Sequence, residues 1–260
     1  MKIVIAPNSF KESLSSVDAA KELKRGLISS FSSLQIDMCP IGDGGDGTLE
    51  AILYSAGGKE VKIKATGPLG EEKEAKIGLF EADRVAYIEM AEAAGRKWVP
   101  TQKRNPLFTT TYGVGEMIFN ALNLGVEKII IGVGGSATVE GGIGALTALG
   151  VRFLDEYGTP VAPNGEGLLN IKDIDLSNLD KRLERVQIEV ATDVTNPLLG
   201  PRGAARIYGP QKGADEETVG KLEKGLENLA RLLLEKTAVS YTHLRAHETR
   251  HDLVCRLLLE

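Results

Sequence analysis

The chain has 260 residues, 42% of them hydrophobic and 26% charged, with a formal net charge of -5. That composition supports a sizeable core in one large domain or two modest ones, and the acidic balance with no long basic run excludes a nucleic-acid groove or an anionic membrane surface as the expected partner. Two cysteines, Cys39 and Cys255, make no disulfide framework, and no stretch approaches the ~18 apolar residues of a membrane span, so a cytoplasmic protein is expected.

The first element is a buried strand over Lys2–Ala6, too short and too soon polar for a signal peptide. A loop leads to Ser15 and Asp18, spaced as a capping box, and Val17, Ala20, Leu23 and Leu27 then share one helical face. A short strand over Ile36–Cys39 enters PIGDGGDGT, followed by a helix from about Thr48 that stops at Gly57-Gly58. Strands are expected at Glu60–Ala65, Glu74–Phe80 and Arg84–Met90, and a helix over Thr110–Leu124. The buried strand Lys128–Ile131 feeds GVGGSATVEGGIG and a helix through Ala145–Leu149. Strands at Val151–Asp155 and Ile188–Thr192 come next. The last helix, Asp215 to about Lys236, carries Val219, Leu222, Leu226, Leu229 and Leu233 at helical spacing, with acids in its first turn. Strands alternating with helices predict an α/β fold with its working loops at the carboxyl ends of strands.

After Ser240 the pattern changes. All three histidines (His243, His247, His251) lie there, and the segment breaks the register of the helix before it. It resembles peptide translated from sequencing-adapter DNA, which places the native end near Lys236–Ala238. A metal-binding tail is the rival reading, since the three histidines recur one helical turn apart.

Five segments carry candidate chemistry. In Gly132–Gly144 the glycines let backbone N–H groups approach an anion, Ser136 and Thr138 add hydroxyls, and the following helix N-terminus adds positive potential; a tight αβ turn is the bland alternative. Gly132, Gly134 and Ala137 also fit the G-x-G-x-x-A dinucleotide fingerprint, with Asp155 where a ribose-binding acid would stand, so an NAD-dependent oxidoreductase is open. Asp43 and Asp46 in GDGGDGT suit Mg²⁺ or a substrate hydroxyl, or simply form a solvated turn. Asp193, just past a strand end, could bind metal, act as a base, or close an Asx-turn. Lys212 in GPQKG and Ser9 and Lys11 in NSFK complete the set; read alone, both lysines look solvated.

Together these segments resemble the bacterial glycerate kinase family. IVIAPNSFKESLS, GDGGDGT, IEMAEAAG, RNPLFTTTYGVGE, IIIGVGGSATVEGG and ATDVTNPLLGPRGAARIYGPQKGA follow the family's order from residue 3 to about 235, while Asn8, Val139 and Glu140 depart from its usual Asp, Asn and Asp. The resemblance implies two α/β domains with largely parallel sheets: residues 1–80 in a first domain, built in the family from both chain ends and incomplete here because the C-terminal part is missing; 81–237 as the second domain and the start of the return segment; and 238–260 as a non-native tail. It implies transfer of the ATP γ-phosphate to a hydroxyl of glycerate, commonly the 2-position, with ATP and Mg²⁺, or an inactive fragment if the missing part supplies the cleft. In that frame Gly134, Gly135, Ser136 and Thr138 cradle the nucleotide phosphates, and Lys11 and Lys212 offset developing charge. Asp43, Asp46 and Asp193 divide the roles of base and Mg²⁺ ligand, Asp46 and Asp193 being assigned to the metal. Ser9 and Arg104 face glycerate, Arg104 because a guanidinium grips a carboxylate at two points.

Overall fold

A computed structural model describes residues 1–10, 13–31 and 33–237. Lys11 and the three histidines lie outside the described residues.

β1 (Lys2–Ile5) and β2 (Gln35–Met38) form a parallel pair, Ile3 opposite Ile36, joined by α1 (Ser16–Ser30). The Ser15 hydroxyl accepts the Asp18 N–H at 3.1 Å, so the expected cap forms. Only the first half of the expected apolar face is covered: Val17 and Ala20 are buried, whereas Leu23 is 50% exposed. α2 (Thr48–Ala56) follows the aspartate loop and ends at Gly57, as its glycine pair predicts.

The second sheet has five strands: β3 (Lys59–Thr66), β4 (Glu72–Phe80), β5 (Val85–Glu89), β6 (Lys128–Gly132) and β9 (Gln187–Ala191), adjacent in that order. The β3–β4–β5 pairings are antiparallel and the β5–β6–β9 pairings parallel. The fold is therefore mixed α/β, with its parallel part where the helical crossovers lie. Strand pairing also crosses the expected boundary at residue 80. β3 and β4 belong with β5, β6 and β9, so the sheets divide after β2.

α3 (Met90–Ala94) and α4 (Tyr112–Asn123) connect β5 to β6, and α5 (Ile143–Ala148) leads to the antiparallel pair β7 (Arg152–Leu154) and β8 (Asp173–Asp175). α6 (Ala204–Tyr208) and α7 (Glu216–Thr237) close the described chain. Two cores result. One joins the five-stranded sheet to α4 through Ile77, Ile88, Met117, Ile118, Ile129 and Ile131. The other packs α7 through Leu222, Leu226 and Leu229 onto Ile143, Phe153, Leu168, Ile171 and Ile174. The predicted apolar stripe of α7 is thus the face it buries.

Candidate active site

The three parallel strands of the larger sheet end at one level. Glu89 of β5 pairs with Gly132 of β6, and Gly132 with Ala191 of β9. The segments that leave those strands therefore start side by side at the carboxyl edge, where ligands of open α/β sheets bind. The β1–β2 pair brings its own carboxyl-end loops to the same edge. The Gly134 N–H donates to the Gly44 carbonyl at 3.0 Å, and the Asn8 side-chain amide donates to Asp43 Oδ2 at 3.2 Å.

That meeting requires glycine. A Cβ on Gly134 would lie 2.6 Å from Gly45 Cα, and one on Gly44, where φ is +85°, would lie 2.8 Å from the Ala191 carbonyl. The aspartate loop, the glycine loop and the end of β9 thus touch backbone to backbone.

Buried glutamates hold the loops. Glu89, 2% exposed, accepts the Gly47 and Leu49 N–H groups, both at 3.0 Å, at the start of α2. Burial raises its carboxyl to about 7, even though those two N–H groups pull the other way. Glu140, also 2% exposed, accepts the N–H groups of Thr111 at 2.9 Å, Gly142 at 2.8 Å and Gly144 at 3.3 Å, and the Thr111 hydroxyl. Burial raises its carboxyl as well. The residue standing at the family's Asp position is therefore a staple between the starts of α4 and α5. The positive potential expected from the helix after the glycine loop is occupied by Glu140 and is not offered to a ligand.

Lys212 is buried, against its solvated reading. Its ammonium donates to Ser136 Oγ at 2.8 Å and to the Thr138 carbonyl at 2.6 Å, which ties the GPQKG turn to the glycine loop. Burial lowers it to about 8, with Glu140 opposing the shift and Arg96 adding to it. Within the glycine loop, the N–H groups of Gly134, Ala137, Gly142 and Gly144 already serve the protein. Thr138–Gly141 is buried, so the accessible part of the loop narrows to Gly135 and Ser136.

The carboxylates are differently placed. Asp43 accepts from Asn8 and, at 3.0 Å, from the Gly45 N–H, so it is oriented by two donors. Asp46 pairs with Lys97 at 3.0 Å, and Lys97 also reaches Glu92 at 3.0 Å. The Ser9 hydroxyl meets the Asp46 carbonyl at 3.5 Å. Asp193 is exposed, two residues beyond Ala191. Arg104 is half-buried, its Nε donating to the Val99 carbonyl at 3.3 Å, and its own carbonyl lies 2.1 Å from where a Cβ on Gly213 would stand, so it backs the Lys212 turn. Among the described residues no group of three or more His, Cys, Asp or Glu is gathered as a metal cage.

Sequence reasoning missed Glu89, Lys97 and Arg96. The signal for Glu89 was present: an acid ending the apolar strand VAYIE at the working edge of a parallel sheet. The oxidoreductase reading fails on topology. β7, which carries the chain toward Asp155, pairs only with β8, antiparallel and outside the sheet of β6, and Asp155 Oδ1 is taken up by the Tyr157 and Thr159 N–H groups, both at 2.9 Å. Asp155 therefore does not end a strand that runs parallel beside β6, as the fingerprint requires of it.

Comparison with known proteins matches this architecture. The model of the "Glycerate kinase family" matches residues 3–247, which runs past the expected foreign junction at 238. A "Glycerate kinase" of Bacillus subtilis is 47% identical over 230 residues, covering 88% of this chain and 60% of that protein. The "Glycerate 2-kinase" of Escherichia coli is 46% identical over 233 residues, 90% of this chain and 61% of that protein. A crystal structure described as a putative glycerate kinase 2 from Salmonella typhimurium superimposes with a TM-score of 0.84 at 44% identity, covering all of this chain and 69% of that one. The chain spans about 60% of the length of the curated relatives it matches.

Proposed function

The chain belongs to the glycerate kinase family, and from that premise we propose that it carries the phosphoryl-transfer site for ATP-dependent phosphorylation of glycerate, giving 2-phosphoglycerate. The observation that carries the reading is the meeting of the aspartate loop, the glycine loop and the end of β9 at one sheet edge, with buried Lys212 bound to Ser136 between them.

The chemistry needs positioning and charge compensation more than covalent participation by the protein. The N–H groups of Gly135 and Ser136, with the Ser136 hydroxyl, take phosphate oxygens. Lys212, and Lys11 from the segment after Phe10, offset the charge on the transferred group. The glycerate hydroxyl oxygen attacks the γ-phosphorus; its proton passes to Asp43, the O–P bond forms, and the bridging bond to the β-phosphate breaks to release ADP. Asp43 suits the base because Asn8 and Gly45 fix its direction and leave a lone pair on each oxygen. Ser9 and Arg104 face glycerate.

The oxygen donors present fit Mg²⁺, which takes one or two carboxylates and completes its shell with substrate phosphates and water. Asp46 and Asp193 would hold it, and when bound it neutralises phosphate charge. A coupled ADP-release assay tests the proposal: with Mg²⁺ and ATP, this chain is expected to release ADP in proportion to added glycerate. ADP release that ignores glycerate contradicts the substrate assignment.

A further inference from the structure

Neither helix start beside the glycine loop is open to an incoming anion. The start of α2 is filled by Glu89 and the start of α5 by Glu140. What remains for an incoming oxyanion is the short N–H run around Ser136 and whatever cations face it.

Arg96 is such a cation, placed beside the glycine loop. Its backbone is fixed against the glycine loop: the Arg96 N–H donates to the Gly135 carbonyl at 2.8 Å, and Gly95 bridges Ser136. Its Nη1 donates to the neutral side chain of Gln211 at 3.1 Å, next to Lys212. Among the described residues it has no carboxylate partner within ion-pair distance. The half-buried guanidinium lies close enough to Lys212 to disfavour that ammonium's charge. Glu140 offsets part of that repulsion, but its carboxylate is engaged by Thr111, Gly142 and Gly144 inside the fold. An oxyanion bound between the two cations would offset more of it.

We propose that Arg96 is a second cation of the ligand site, closing with Lys212 on an oxyanion seated at Gly135–Ser136. The planar fork of arginine suits two oxygens of one phosphoryl or carboxylate group. The inference rests on the kinase reading only for the identity of that oxyanion, the ATP γ-phosphoryl group or the glycerate carboxylate.

The test titrates wild type, Arg96→Gln and Arg96→Lys with inorganic phosphate, with Mg²⁺ and a non-hydrolysable ATP analogue, with MgADP and with glycerate, following heat by calorimetry. Wild type is expected to bind phosphate, and Arg96→Gln to weaken it about tenfold or more, with Arg96→Lys in between. Loss confined to the ATP analogue, with MgADP unchanged, assigns the γ-phosphoryl group; loss confined to glycerate assigns its carboxylate. Should Arg96→Gln fail to fold, Arg96→Lys carries the comparison, since it keeps the charge and loses only the fork. Phosphate binding that depends on Arg96 in a chain deaf to both nucleotide and glycerate upholds Arg96 and overturns the kinase reading. Affinities within twofold of wild type in a folded variant, or no oxyanion binding by wild type, overturn the inference.

Discussion

Glu89 couples the aspartate loop to pH. Its folded pKa of about 7 lies above the ~4.3 of an unfolded glutamate, so between those values the folded state holds the extra proton. The contribution of Glu89 to stability is then fully present below the lower value and is lost as pH rises through the upper one, on the order of 3 kcal/mol. Glu89→Gln is expected to flatten that part of the profile, read from urea midpoints at several pH values. An unchanged slope would show that Glu89 ionises as an ordinary carboxylate. Lys212→Met, which keeps the stem and removes the charge, is expected to lower kcat by about 100-fold or more, roughly 2.7 kcal/mol; steady-state kinetics alongside a melting curve separates that from a folding defect. At this scale the sequence named loops that the structure brings into contact, but not all the side chains that hold them there. Ser136 and Lys212 were legible as motif members, though Lys212 read alone suggests a solvated lysine. Lys97 and Arg96 were not legible, because their partners Asp46 and Gln211 lie far away in the chain; Glu89 had a signal at its strand end, but its partners in the aspartate loop did not.

Elements with a strong period were legible to within a residue or two. α4, α7, β4, β5 and β6 lie where apolar spacing puts them, since each buries the stripe that defines it. Two features escaped. Leu23 continues the apolar face of α1 yet is exposed, because periodicity says which face could be buried and not whether anything covers it. The strand near Val151 was read as another α/β strand, but its pairing partner is β8, a choice no local pattern encodes. The loop–loop contact gives the sharpest prediction here. Gly134→Ala forces the Gly45 backbone to move and is expected to cost about 1–3 kcal/mol, with a larger loss in activity than in stability. Chemical denaturation and steady-state kinetics check it, and a fully active, wild-type-stable variant would remove the contact from the account. Ser15→Ala, which deletes the cap of α1, is expected to cost ~1 kcal/mol and leave kinetics untouched.

The whole molecule has two cores, the sheet with α4 and the α7 cluster, and Leu179 packs against both. Ile118→Ala and Leu226→Ala each create a buried cavity and are each expected to cost about 2–5 kcal/mol. Because they share no cluster, their effects should add within about 0.5 kcal/mol; strong coupling would mean the cores act as one. The partition of the chain was the part least visible in sequence. The boundary at residue 80 came with the family resemblance and not from any local pattern, whereas the hydrogen-bonded sheet extends back to β3. The functional claim depends on convergence at the carboxyl edge of that sheet. Hydrogen-exchange mass spectrometry of this chain, with and without Mg²⁺ and a non-hydrolysable ATP analogue, measures it most directly. The account predicts that segments 43–48, 133–141 and 191–196 gain protection together on ligand addition; protection confined to one of them, or spread over unrelated surfaces, would contradict it.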